Sequence, residues 1–392
     1  MKTLTTTVDG NEVRWRDRKR YYWMLGLIVP LLPFGAADWV HKSGWAGFWF
    51  AGPVFILVVI PLVDWIFGTD RSNPPDWAVE QLAEDRYYRW CTYLFLPLQY
   101  AGLVFACWVV TTKGLSLVDQ LGYALTVGTV AGVAINTAHE LGHKSVRTER
   151  RLAKLALAQS GYGHFYVEHN RGHHNRVATP EDPASSRLGE TFWEFLPRTV
   201  VGSARSAWAL EARRLRAQGK QVWSTGNDVL TAWAMTVVLF AGLTAAFGWK
   251  VLPFLVVQAV FGFSLLEVVN YLEHYGLLRQ KDANGRYERC QPEHSWNSNH
   301  VASNVVLYQL ERHSDHHAHP TRRYQALRHF EESPQLPSGY GLMLGLAYLP
   351  PVWRRVMDRR VLDHYDGDVT RANLHPRTRD AYIAKYGSPV DA

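Results

Sequence analysis

Long apolar runs separated by short polar breaks fill most of the chain. They cover about 22–40, 45–68, 90–112, 117–138, 229–248 and 251–270. Each is close to the ~20 residues that a helix needs to cross a bilayer. Pro30, Pro33, Pro53, Pro61 and Pro97 lie inside these runs. They would damage soluble helices but are tolerated where neighbouring helices satisfy the freed backbone. Trp23, Trp39, Trp45, Trp65, Trp90 and Trp249 stand near run ends, as in an interfacial aromatic belt. The turns TTKGLS (111–116) and AFGWK (246–250) are short enough to join helical hairpins. The pattern predicts an all-α integral membrane protein with six transmembrane helices.

Charge orients these spans. The short loops at 41–44, 113–116 and 249–250 hold one lysine each, whereas Lys2, Arg14, Arg16, Arg18, Lys19 and Arg20 precede the first span. Most other basic residues fall in 69–89, 139–228 and 275–392. By the positive-inside rule these segments and both termini are expected in the cytoplasm. The chain then divides into residues 1–138 (N-terminal segment and spans one to four) and 139–228 (a cytoplasmic segment). Residues 229–274 hold spans five and six, and 275–392 form a cytoplasmic C-terminal cap. The net charge of +7 is read either as topological or as a docking field for an acidic partner, and no nucleic-acid partner is expected. No signal-peptide cleavage pattern follows the basic N-terminus.

The polar segments concentrate histidine. HELGH occupies 139–143, EHNRGHH 168–174 and RHSDHHAHP 312–320, with His274 in NYLEHYGLL. His139 and His143 share a helix face, His169 and His173 repeat that spacing, and His174 adds a third nitrogen. His313, His316 and His317 form a further variant. Burying so many imidazoles without a metal would strand donors and acceptors. The topology brings all of these groups to one depth, near the inner ends of spans four and six. HELGH also fits the zinc-protease pattern with Glu140 as base, but one catalytic zinc takes three protein ligands and leaves six histidines over. Eight or nine nitrogens suit two ions, and imidazole alone does not choose among Fe, Cu, Zn and Ni. Three cysteines, Cys91, Cys107 and Cys290, without a CxxC, cannot build a four-thiolate iron site. No GxGxxG marks a flavin or nicotinamide site. If the metals are redox-active, a partner must deliver the electrons.

HELGHK, EHNRGHH, NYLEHYGLLR and LERHSDHHAHPTRRYQ resemble the bacterial membrane-bound alkane 1-monooxygenases (alkane hydroxylases), relatives of the xylene monooxygenases and fatty acid desaturases. The likeness covers nearly the whole chain. NYLEHYGLLR and HSWNSNH (294–300) favour the hydroxylases over the desaturases. The resemblance implies a cytoplasmic, histidine-rich cap holding two non-haem iron ions. Its ligands would be His139, His143, His169, His173, His174, His274, His313, His316 and His317. It implies oxidation of medium-chain n-alkanes by O2 and two electrons to primary alcohols, in the bacterial inner membrane. The donor would be a rubredoxin, reduced by an NADH-dependent reductase. A di-iron lipid desaturase, another hydrocarbon monooxygenase and, further off, an intramembrane zinc protease are the alternatives.

Ligating histidines usually donate their other N–H to a carboxylate or carbonyl. Glu140, Glu168, Asp182, Glu273 and Asp315 are the nearby acids, and Glu267, inside span six, is placed to orient a ligand. His164, His294, His300, His319 and His329 are read as structural or supporting, and His329 and His375 as dispensable. Arg312, Arg322, Arg323 and Arg328 flank the last histidine motif and are candidates for docking an acidic donor. Ile56, Val59, Ile60 and Val63 of span two are candidates for the wall of a substrate channel.

Overall fold

The computed structural model describes residues 2–387. Six helices long and apolar enough to cross a membrane form its body: Tyr22–Ser43, Ala46–Phe67, Arg86–Thr112, Leu117–Gly142, Asp228–Phe247 and Trp249–Glu273. Each contains most of one predicted run. Span four is the axis of the bundle, with 89% of its apolar window buried, while span five, at 17%, lies at the edge. Spans four and six meet along a seam of small residues. A Cβ added to Gly262 would lie 2.8 Å from the Ala131 Cβ, and one on Gly128 would lie 2.7 Å from the Gln258 carbonyl. Without side chains to hold them apart, the two helices pack backbone to backbone. Their C-terminal ends, which carry His139, His143 and His274, are thereby held side by side.

Span two is not a regular helix. Phe55–Val59 form a π-turn, and the Ile60 N–H bonds to the Phe55 carbonyl. Pro61 follows and has no N–H to continue an α-helical ladder, which is the usual cause of such a break. Ile56 and Ile60 face inward at 4% and 5% exposure, and Val63 is half-buried. Val59 is 38% exposed and faces away from the protein, so it is removed from the channel candidates. At the end of this span, buried Asp64 accepts hydrogen bonds from the Ala302 and Ser303 N–H groups at 2.7 and 3.1 Å. A carboxylate there caps the short helix Val301–Val306, tying span two to the C-terminal segment.

The chain is not wholly helical. Lys2–Val8 and Asn11–Asp17 pair as an antiparallel hairpin. Asp9 and Gly10 both have positive φ, 50° and 80°, as a two-residue type I′ turn requires. Among the described residues these are the two paired strands, and the basic N-terminus is built on them. The segments beyond the spans add the helices Arg147–Ala158, Phe192–Ala217, Tyr340–Ala347 and Pro350–His364. The arginine-rich stretch after 190 is thus one 26-residue helix. It starts at a capping box in which Thr191 and Glu194 bond reciprocally.

Candidate metal centre

The nine histidines converge, and they do so as two groups. His139, His143, His169, His174 and His316 form one; His173, His274, His313 and His317 form the other. Within each group, one nitrogen from every ring lies within 4.8 Å of the others. The grouping cuts across the motifs. His139 and His143 stay together, as their i,i+4 spacing predicts. His169 does not share a group with His173. It pairs instead with His174, Nε2 to Nε2 at 3.1 Å, because residues 169–173 form a π-turn. A π-turn brings residues five apart onto one face and sends His173 to the opposite side. In the last motif His313 and His317 face each other at 2.9 Å, while His316 crosses to the first group, 2.8 Å from His139.

Gly172 makes the π-turn sterically feasible. A Cβ there would fall 2.5 Å from Glu168 Oε1 and 2.6 Å from Arg176 Nη2. The Glu168–Arg176 ion pair (2.6 Å) passes directly over it. Glu168 therefore holds the backbone of this motif, not an imidazole.

The donor set fits metal ions. Nitrogens bound at right angles about 2.1 Å from one ion lie about 3.0 Å apart. The observed Nε2–Nε2 separations in the first group are 2.8, 3.1 and 3.1 Å. His316 Nε2 faces two such nitrogens and His174 Nε2 faces two, more than single imidazole protons can satisfy. The Nε2 atoms of His143, His173 and His274 are buried without any hydrogen-bond partner. Burial, reinforced by neighbouring imidazoles, holds His143, His169, His174, His313, His316 and His317 well below the ordinary imidazole pKa. Burial first, then His173, lowers His274 to about 3. These rings are neutral near pH 7, the form that ligates.

Of the five nearby acids, Asp182 holds a candidate ligand ring by its outward nitrogen. His173 Nδ1 donates to Asp182 at 2.9 Å. Burial opposes ionisation of Asp182, but His173 and the Ser185 hydroxyl (2.6 Å) outweigh it and hold its carboxyl at about 2. Glu273 Oε2 lies 3.2 Å from His313 Nε2, the same nitrogen that faces His317, so it sits beside the group and not behind the ring; its other oxygen accepts from the Tyr340 hydroxyl at 3.0 Å. Glu140 and Asp315 do not reach a candidate ligand ring. Glu140 pairs with Lys144 at 3.1 Å, and Lys144 in turn donates to the Arg322 carbonyl at 2.8 Å. Glu140 thus pins the end of span four to a loop, which also disfavours it as a protease base. Asp315 is gripped by Arg322 and the Arg328 N–H, so it braces the helix His313–Ala318 without holding a ligand ring. Glu267 meets Tyr162, Thr199 and Asn270 and no imidazole. The partner that the sequence reading missed is a backbone one: His274 Nδ1 donates to the His294 carbonyl at 3.1 Å.

The remaining histidines stay outside both groups. His164 is buried between Tyr162 and Trp233, His300 meets Ser298 and His319 is exposed. His329 is buried against Asn299, and His375 is likewise buried, both outside the two groups. The arginines flanking the last motif are mostly engaged inside the protein. Arg312 is 2% exposed and bonds the carbonyls of Asp70, Ser72 and Leu327. Arg322 and Arg323 are committed to Asp315 and Glu149, and Arg328 pairs with Asp76. Arg312, Arg322 and Arg323 are accordingly removed as docking candidates.

The fatty acid desaturase family matches residues 120–360, a stretch that contains all nine histidines. An alkane 1-monooxygenase of Acinetobacter baylyi is 48% identical over 389 residues, covering 96% of this chain and 93% of that protein. Alkane 1-monooxygenase 1 of Alcanivorax borkumensis is 48% identical over 381 residues, covering 97% and 94%. The hydroxylase component of a Pseudomonas putida xylene/toluene monooxygenase is 29% identical over 362 residues, covering 89% and 90%. With relatives nearly half identical from end to end and the wider match spanning more than half of its length, the chain belongs to the alkane 1-monooxygenase family, within the fatty acid desaturase family.

Proposed function

We propose that this protein hydroxylates the terminal carbon of medium-chain n-alkanes. O2, two electrons and two protons convert R–CH3 to R–CH2OH and water. One observation carries the reading: nine buried or half-buried imidazoles in groups of five and four, at the ends of apolar spans, in a chain 46–48% identical to several alkane 1-monooxygenases. The two groups would hold two iron ions, which when bound supply the O2 activation and C–H cleavage that no side chain here provides. The protein's own part is positional. Asp182 fixes the ring of His173, and the His294 carbonyl fixes that of His274. The site is expected at the cytoplasmic face of the inner membrane. Rubredoxin, with its NADH-dependent reductase, would be the electron source.

An alkane offers no polar handle, so the apolar wall must set its position. Ile56 and Ile60 are the span-two residues that remain. A Cβ on Gly341 would lie 2.8 Å from the Ile56 carbonyl and 3.2 Å from Ile60 Cγ2. Gly341 adjoins Tyr340, whose hydroxyl reaches Glu273 and through it His313. Product analysis by gas chromatography over a series of n-alkanes, with rubredoxin and reductase supplied, tests both ideas. Primary alcohols are expected; alkenes would move the assignment to a desaturase. Ile56→Trp or Ile60→Trp should shorten the longest alkane oxidised and leave iron content unchanged. An unaltered chain-length profile in both variants removes span two from the channel.

Rubredoxins of this kind are acidic, and the chain carries +7. Turnover at limiting donor is therefore expected to fall as salt rises, because screening weakens the attraction that steers encounter. A rate independent of salt at low donor concentration argues against electrostatic docking.

A further inference from the structure

A cleft of about 350 Å³ opens between the N-terminal hairpin, residues 72–74 and the segment that leads into the last histidine motif. It is lined by Arg14, Arg16, Arg18 and Lys19 from the hairpin end, with buried Arg312 opposite them. Its charges are unequally matched. Arg14 pairs with Glu12 at 2.9 Å and Lys19 with Asp70 at 2.6 Å. Asp17, the acid that lines the cleft, is taken by the Tyr88 hydroxyl. Among the described residues, Arg16, Arg18 and Arg312 have no carboxylate within ion-pair distance. Arg312 is the unusual member: its guanidinium is buried, held by backbone carbonyls, and its Nε has no hydrogen-bond partner. A buried cation with no carboxylate in direct contact is costly, and an anion in the cleft would relieve it. Burial, then Arg312, lowers the Lys19 pKa despite its bond to Asp70.

The location narrows the anion. Lys19 lies three residues before the first span begins at Tyr22, and Asp70 three residues after the second ends at Phe67. Trp65 and Phe67 are 83% and 68% exposed, as aromatic residues are at a headgroup boundary. A second, smaller hollow, lined by Lys19, Tyr22, Trp23, Arg312 and the Lys19-paired Asp70, continues toward the span ends. We propose that the cleft binds a phosphate group carried on an anionic phospholipid of the adjoining leaflet. A phosphate on a flexible headgroup reaches buried Arg312, whereas a carboxylate fixed on a folded protein surface does not. The site adjoins the metal centre through the backbone. Arg312 immediately precedes His313, and its carbonyl accepts the His316 N–H at 3.2 Å, so the headgroup would brace the helix that supplies three imidazoles.

The test is native mass spectrometry of the full chain in detergent, offered phosphatidylglycerol and phosphatidylcholine together. A bound phosphatidylglycerol is expected in preference to phosphatidylcholine. In an Arg16→Gln/Arg18→Gln variant its affinity should fall about thirtyfold, as expected for two lost contacts with an anionic lipid. Exposed Arg216 and Lys220 lie outside the cleft, and their double glutamine variant should bind as the parent does. Equal loss in both variants, or no preference for the anionic lipid, overturns the proposal. A parallel arm measures protection of Lys19 from amine acetylation by inorganic phosphate alone. Protection without lipid retention keeps the phosphate site and overturns its lipid source. If neither lipid nor phosphate binds, including where an acidic protein protects Lys19, the proposal fails.

Discussion

Replacement of His274 by alanine is expected to reduce alkane hydroxylation to background and to lower the metal content from about two ions per chain to about one. His274 is the sole ligand candidate from span six and one of only four in its group. Its Nδ1 is already committed to the His294 carbonyl, so Nε2 is the nitrogen left to face an ion, and no other group binds it. Alanine leaves three imidazoles and a hole where a fully buried ring had packed. The five-histidine group does not include His274 and should keep its ion. Exposed His319 is the appropriate control, since its alanine variant removes an imidazole from the same motif as His316 and His317 without touching either group. Metal analysis and product assay on both variants, with folding checked by size exclusion, decide the matter. Full hydroxylation by the His274 variant would show that the ninth ligand is misassigned.

Asp182→Ala is expected to weaken metal retention or activity by about 10- to 100-fold, the usual effect of removing the partner of a ligating histidine. Asp182 is 1% exposed and accepts from both His173 Nδ1 and the Ser185 hydroxyl. Without it the His173 ring loses the bond that fixes its rotation and tautomer. Asp182→Asn keeps the shape and loses the charge, so it should fall between alanine and the parent. The measurement is the rate at which a chelator strips metal from each variant. Equal rates in the parent and in Asp182→Ala would leave Asp182 with no part in holding the ring.

The spans were legible because hydropathy over about 20 residues is a strong signal, and the nine histidines because they cluster in sequence. Their division into two groups was not. Reading His169 with His173 assumes an α-helical period, and only the π-turn over 169–173, which contains Gly172, makes His174 the true neighbour of His169. The N-terminal hairpin was missed for a different reason. Its basic residues were read for topology, although Asp9–Gly10 between alternating residues is a hairpin signal. Proximity in sequence also misled for Glu140 and Asp315, which sit beside candidate ligands in the chain but answer to Lys144 and Arg322. Asp182 and Glu273 do reach a ring. What separates the two pairs is the direction of each side chain on its element, which a single sequence does not display.

The crossing of motifs between the two groups bears on how such a centre can change over evolutionary time. His173 stands between His169 and His174 but serves the opposite group, and His316 stands in the same relation to His313 and His317. Neither cage belongs to a segment of its own. A deletion or register slip within either motif damages both cages at once, although loss of a single histidine outside them, such as His274, opens only one. Assembly is subject to the same constraint. Neither cage closes until separate stretches of chain have met, and the pair is therefore built, and inherited, as one unit.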